Sequence, residues 1–145
     1  MNSTTAKIQN QKQNNITVVH KNVLIYYSHP IGTYNSIKEK LSIELLQRKF
    51  PKYIIVNPKD YQFSGMQNYL ELESECSLFA YHNDWNGQIT KGIALERLFA
   101  FIIEIPIYRI DSEIKKENNH IISYPDSLLS DHDYAIAYKV AEGLP

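Results

Sequence analysis

The chain has 145 residues, of which 43% are hydrophobic and 21% are charged, and its formal net charge is −1. These values are typical of one globular domain that can bury a core without disulfides or metal staples. The near-neutral charge argues against a basic nucleic-acid-binding surface and against an acidic tail. The single cysteine, Cys76, excludes an internal disulfide, which is typical of a reducing compartment.

The first stretch of the chain predicts neither a targeting segment nor a membrane segment. Residues 1–15 are polar and rich in Gln and Asn, and they lack the apolar core of a signal peptide. No apolar run reaches the roughly 18 residues that a membrane helix requires. We therefore expect a cytoplasmic protein without membrane contact, with residues 1–15 as a disordered polar tail.

Four apolar runs, each short enough for a buried strand, alternate with amphipathic stretches in the next part of the chain. The predicted strands are residues 23–27, 53–56, 78–81 and 105–110. Between them, apolar residues recur at helical spacing in stretches that begin at Ser36, Met66 and Thr90. Ser36 and Glu39 form a capping-box pattern, and Thr90 can cap the third helix.

This alternation predicts an α/β fold over residues 16–112. Nearly continuous apolar strands are typical of a parallel sheet that is covered on both faces. We expect a doubly wound, flavodoxin-like (Rossmann-like) sheet of four or five mainly parallel strands with helices on both faces. Ligands of such folds bind outside the carboxyl ends of the strands, so the loops 28–35, 57–66 and 82–90 are where a site is expected.

Residues 113–145 are predicted to form a C-terminal extension that contains a helix. Residues 115–119 are polar and predict a link. The segment from Ser130 to Asp133 then predicts the capped start of a last helix, which ends at Gly143. Such an extension could cover the sheet edge or pack on another subunit.

Glu96 is the residue that most clearly suggests chemistry. It is predicted in the first turns of a helix that starts at the carboxyl edge of the sheet, where a carboxylate can face a ligand crevice. Gly92, four residues earlier, allows a ligand to approach the backbone closely, although it is also an ordinary turn residue. The alternative for Glu96 is a solvated carboxylate that is favoured near a helix N-terminus.

The segment from Trp85 to Ile110 resembles the nucleoside 2-deoxyribosyltransferase-like superfamily. It contains a glycine in a loop, an acidic residue on a helix, an alanine four residues later and a strand opened by a proline. These places are occupied by Gly92, Glu96, Ala100 and Pro106. The first strand, in which Tyr26 comes before Pro30, is similar to the opening strand of the family, and the resemblance covers roughly residues 23–110.

The resemblance implies a function in cleaving or transferring the N-glycosidic bond of a nucleoside or nucleotide. Glu96 would be the nucleophile, and Tyr26 would position it. Sugar or phosphate contacts are implied for Ser28, His29, Gly32, Asp84, Asn86 and Gly92. The resemblance implies a nucleoside or nucleotide as the small-molecule partner, with no cofactor and no metal. It also implies a homo-oligomer, expected to be a dimer, in which a neighbouring subunit completes each site.

The chain departs from the family pattern in its first loop and on its second helix. Residues 28–32 are not rich in glycine, Tyr69 takes the place of an aspartate, and Ser77 replaces an acidic residue. These departures leave open a nucleotide-binding module that has lost catalysis. A scaffold or interaction protein, for instance a viral factor, is a third hypothesis, and a nuclease is a distant fourth because no Asp…Glu-x-Lys spacing occurs in the expected loops.

The remaining polar residues have simpler interpretations. Glu71, Glu73 and Glu75 predict a solvated helix face, and Cys76 predicts a buried, inert thiol. His82 and Asp84 lack a third metal ligand nearby in the sequence, so a polar loop is expected there. Asp131 is interpreted as part of the cap of the last helix.

Overall fold

The computed structural model of the protein describes residues 23–83 and 88–132, which contain a five-stranded sheet of order β2-β1-β3-β4-β5. The strands are β1 (Leu24–Ser28), β2 (Ile54–Val56), β3 (Leu78–Tyr81), β4 (Ile107–Glu117) and β5 (His120–Ser130). All neighbouring strands are parallel except β4 and β5, which are antiparallel. The prediction of an α/β fold with a mainly parallel sheet is therefore confirmed.

Three helices connect the parallel strands: α1 (Ile37–Lys49), α2 (Met66–Ser74) and α3 (Lys91–Ile102). Successive side chains of a strand point to opposite faces, so β1 contributes Tyr26 to one core and Tyr27 to the other. Helices α2 and α3 pack on the face of Tyr26, and α1 packs on the face of Tyr27. No helix within residues 23–83 and 88–132 has the length and apolar character needed to cross a bilayer.

The predicted caps start two of the helices. The hydroxyl of Ser36 accepts a hydrogen bond from the backbone N–H of Glu39 at 3.2 Å, and the hydroxyl of Thr90 accepts one from Ile93 at 3.5 Å. The capping box is incomplete, because the side chain of Glu39 bonds to other groups than the N–H of Ser36. Helix α1 ends at Lys49, two residues before Pro51, because the residue before a proline is disfavoured in the helical conformation.

The predicted link at residues 115–119 is wrong. Strand β4 continues to Glu117, and a two-residue turn with positive φ at Asn118 (50°) and Asn119 (66°) leads into β5. Two positive φ angles are typical of a type I′ hairpin turn, which asparagine tolerates well. The polar composition concealed the strand because this hairpin arm is largely exposed. The boundary expected after residue 112 falls within β4, and Ser130, expected at the start of the last helix, is the final residue of β5. The predicted tail and the rest of the predicted helix, from residue 133, lie outside the described residues.

Asp131 follows β5 and links it to α3 and β3, while its predicted role as a helix cap depends on residues outside the described part of the chain. Its carboxylate lies 2.7 Å from Nη2 of Arg97 and accepts a hydrogen bond from the hydroxyl of Tyr81. Burial alone would raise the pKa of Asp131, but the bonds from Arg97 and Tyr81 outweigh burial and lower it. Arg97 is almost fully buried, so this ion pair compensates a cation inside the protein.

Candidate functional site

A cavity of about 620 Å³ opens at the carboxyl edge of the parallel strands. The loops that follow β1 and β2 and the first turns of α3 form its walls, as the loop rule for such sheets predicts. Four of the predicted site residues line it: His29, Gly32, Gly92 and Glu96. Other lining residues, which the sequence analysis did not single out as ligand contacts, include Tyr34, Met66, Tyr69, Thr90 and Lys91.

The carboxylate of Glu96 is held by two hydroxyl groups of β1. Its Oε1 accepts a hydrogen bond from Oγ of Ser28 at 2.9 Å, and its Oε2 accepts a short hydrogen bond from the hydroxyl of Tyr26. Glu96 is 8% exposed, and it reaches the cavity wall. The structure thus places Glu96 beside Tyr26 at the predicted edge, while the catalytic role of both stays a prediction.

Strand geometry explains why β1 supplies both donors. Tyr26 and Ser28 are two residues apart, so their side chains leave the same face of the sheet. The Tyr26 ring is fully buried and stacks on Phe79 of β3, with ring centres 5.9 Å apart. A ring fixed in this way keeps its hydroxyl aimed at Glu96.

Burial raises the pKa of Glu96, and the hydrogen bonds from Tyr26 and Ser28 act in the opposite direction without cancelling that effect. Burial and the negative charge of Glu96 raise the pKa of Tyr26 far above the physiological range. The phenol therefore remains a donor whenever Glu96 is ionised. A carboxylate with two fixed donors and an open cavity beside it can attack an electrophilic carbon or stabilise a neighbouring cation.

The polar side-chain atoms of Ser28 and His29 are hydrogen-bonded to other groups of the protein. Ser28 is fully buried, and its hydroxyl donates to Glu96, so that hydroxyl is not free for the phosphate contact expected of it. His29 lines the cavity, but its Nδ1 lies 3.1 Å from the carbonyl oxygen of Tyr27 and its Nε2 lies 2.7 Å from Oε2 of Glu39. A ligand contact by His29 would therefore involve the face or a carbon edge of the ring.

The two predicted glycines are not required by the packing of the protein itself. A Cβ added to Gly32 would meet nothing within 4 Å, and one added to Gly92 would meet Cε of Met66 at an ordinary 3.6 Å. Both glycines line the cavity, where an added methyl group would take ligand space. The predicted sugar ligands Asp84 and Asn86 lie outside the described residues.

Tyr69, which the sequence resemblance aligns with an aspartate, lines the cavity wall. Its hydroxyl donates to the carbonyl oxygen of Tyr61 at 2.9 Å, and its ring meets Phe63 edge-on. Tyr34 and Lys91 reach the same cavity from the loop after β1 and from the start of α3. The available sequence signal was that Tyr34 lies in the expected loop 28–35 and that Lys91 directly follows the expected loop 82–90.

The sequence predicted that Glu73 belongs to a solvated helix face, and that prediction is wrong. Glu73 is 0% exposed, and among the described residues neither of its carboxylate oxygens has a hydrogen-bond partner. Burial, and then the negative charge of Glu96, raise the pKa of Glu73 to about 10, so the folded protein holds it protonated at neutral pH. Glu71 on the same helix is exposed as expected, and Cys76 is buried as expected.

We expect the Tyr26→Phe substitution to raise the pKa of Glu96 further. The variant removes one of two hydroxyl donors that stabilise the carboxylate, and each such bond contributes on the order of one pKa unit. The carbon-13 NMR shift of the Glu96 carboxyl followed against pH measures this directly. Tyr69→Phe is the matched control, because the Tyr69 hydroxyl donates to a carbonyl and not to Glu96. An unchanged titration in Tyr26→Phe would show that this hydrogen bond does not tune Glu96.

No family model, curated protein or solved structure matches this chain. Within the part of the chain that the structure describes, no three His, Cys, Asp or Glu side chains form a group that could hold a metal ion.

Proposed function

We propose that this protein cleaves or transfers the N-glycosidic bond of a nucleoside or nucleotide, with Glu96 as the nucleophile. One observation carries the proposal: a buried carboxylate on the wall of a cavity, fixed by the hydroxyls of Tyr26 and Ser28. The strand order and the helices on both faces support a doubly wound, flavodoxin-like arrangement as part of the same proposal.

In the first step, an Oε atom of Glu96 attacks the anomeric carbon. The bond from that carbon to the base nitrogen breaks, its electron pair leaves with the base, and a glycosyl ester forms on Glu96. In the second step, water or the nitrogen of another base attacks the same carbon, the bond from that carbon to Glu96 breaks, and its electron pair returns to the carboxylate. The proton that the attacking group loses goes to the departed base or to solvent. The outcome is hydrolysis in the first case and transfer in the second.

The departing base needs a hydrogen-bond donor, and Tyr34 can supply one. It lines the cavity, and burial together with the charge of Glu96 raises its pKa to about 12. The phenol is therefore protonated at neutral pH and can donate to the base as negative charge develops there. The Tyr69 hydroxyl is already engaged with a backbone carbonyl.

A nucleotide-binding module without catalysis is the second candidate. It is favoured by Tyr69, because the cavity wall there carries a phenol in place of a carboxylate. Among the described lining residues, Glu96 is the sole carboxylate. Such a site would bind the ligand through its aromatic residues and Lys91 without supplying a second acid.

The deciding experiment is a panel of nucleosides and 5′-monophosphates, with both ribose and deoxyribose sugars. We expect at least one compound to raise the melting temperature and to lose its base in the presence of the protein, measured by chromatography of the free base. Binding without base release would favour the inactive module. If no compound binds, the proposal fails.

A further inference from the structure

Glu39 lies next to residues of the cavity wall, and its carboxylate accepts hydrogen bonds from three donors. Its Oε2 accepts from Nε2 of His29 at 2.7 Å, and its Oε1 accepts from Nζ of Lys59 at 2.8 Å and from the backbone N–H of Asn35 at 3.3 Å. Glu39 is 4% exposed, and it is not one of the residues that line the cavity. Its contacts are therefore with the walls and not with the cavity space.

These donors come from two different walls. His29 and Asn35 belong to the loop between β1 and α1, whereas Lys59 belongs to the turn Pro58–Asp60 that follows β2. The ammonium group of Lys59 also donates to Oδ1 of Asn35 at 3.1 Å, so Glu39, Lys59 and Asn35 are each bonded to the other two. Both segments contribute residues to the cavity lining.

The charge distribution favours this arrangement. Burial alone would raise the pKa of Glu39, but the hydrogen bonds from Lys59, His29 and Asn35 outweigh burial and lower it. An ionised carboxylate that accepts from charged and backbone donors forms stronger hydrogen bonds than a neutral acceptor. Asn35 also has φ of 61°, a left-handed conformation in which its N–H is directed to Glu39.

We propose that Glu39 is a positioning residue that sets the shape of the cavity by tying the loop after β1 to the turn after β2. The inference rests on the proposed function in one respect, since it treats this cavity as the ligand site. Losing the carboxylate frees the two walls from each other. Ligand affinity then falls although no contact with the ligand is lost.

Hydrogen exchange of the Asn35 amide in the ligand-free protein tests the tie. Glu39→Gln keeps the side-chain size, but an amide has one acceptor oxygen and cannot serve all three donors. We expect the Asn35 amide to exchange roughly tenfold faster in Glu39→Gln, while the amide of Tyr26 in β1 keeps its wild-type rate. Glu44→Gln on the same helix is the control and should change neither rate.

Lys59→Met is a second variant, and it leaves the sequence of α1 unchanged. Lys52→Met is its control. We expect faster Asn35 exchange there too, because Lys59 bonds both Asn35 and Glu39. Unchanged Asn35 exchange in both Glu39→Gln and Lys59→Met overturns the proposal. Equal acceleration at Asn35 and Tyr26 also overturns it, because it would show a loss of overall stability and not a released wall.

Titration calorimetry with 2′-deoxyadenosine 5′-monophosphate tests the consequence for the ligand. We expect Glu39→Gln to raise the Kd of this nucleotide roughly tenfold, with Glu44→Gln at the wild-type value. An unchanged Kd in a Glu39→Gln protein whose Asn35 amide exchanges faster overturns the link to binding. If the wild type does not bind the nucleotide, the proposed function loses support, while the exchange experiment still decides whether Glu39 ties the walls.

Discussion

Replacing Glu96 by glutamine should abolish base release from any nucleoside or nucleotide that the wild-type protein cleaves. Glutamine has the size of glutamate, and its carbonyl oxygen can still accept from Tyr26 or Ser28. It cannot form the glycosyl ester or balance the positive charge at the anomeric carbon. Removing such a covalent catalyst costs several powers of ten in rate, which single-turnover measurement of free base would detect.

Binding should survive in Glu96→Gln with a Kd close to that of the wild type, because other residues form most of the cavity wall. Glu71→Gln is the control for charge removal, since Glu71 is exposed on α2. Base release at the wild-type rate in Glu96→Gln would exclude Glu96 as the nucleophile. Loss of binding together with loss of release would indicate that Glu96 serves the ligand and not the chemistry.

Replacing Glu73 by methionine should stabilise the protein, and the gain should grow with pH. The pKa of Glu73 is raised to about 10, whereas the same side chain in the unfolded chain ionises near 4.5. Between these values the folded state holds a proton that the unfolded state has lost, so the free energy of unfolding falls as pH rises. Methionine has a similar length, favours helices and carries no charge to be neutralised.

We expect Glu73→Met to raise the free energy of unfolding by about 2 to 4 kcal/mol at pH 8, and by much less at pH 4, where both states of the wild type are protonated. Urea denaturation at several pH values measures the difference. Glu71→Met on the exposed side of α2 is the control and should show no pH-dependent gain. A difference between Glu73→Met and wild type that does not vary with pH would mean that Glu73 is ionised in the folded protein.

The local elements of the fold could be predicted because their causes lie close together in the sequence. The first three strands follow from short apolar runs, and the starts of α1 and α3 follow from Ser36 and Thr90, which bond to backbone groups three residues away. The polar hairpin arm was missed because an exposed two-stranded ribbon lacks a buried face to mark it.

Part of the site could also be predicted, because the alternation of strands and helices brings the loops after parallel strands to one edge of the sheet. That rule placed Glu96 at the edge where β1 ends, and the resemblance paired it with Tyr26, although Tyr26 and Glu96 are 70 residues apart. Lys91 and Tyr34 could have been named by the same rule. The chemistry inferred for Glu96 stays a proposal that the kinetic experiment has to decide.

By itself the sequence determined the first three strands, the three helices that follow or precede them and the edge of the sheet where the cavity opens. The tertiary structure alone decided three of the long-range polar contacts: Ser28 bonds Glu96, Asp131 pairs with Arg97, and Glu39 joins two loops. It also decided that Glu73 is fully buried while Glu71, two residues away, is exposed. The physical reason is that periodicity and capping act over a few residues, whereas burial and charge pairing depend on which distant segments pack together.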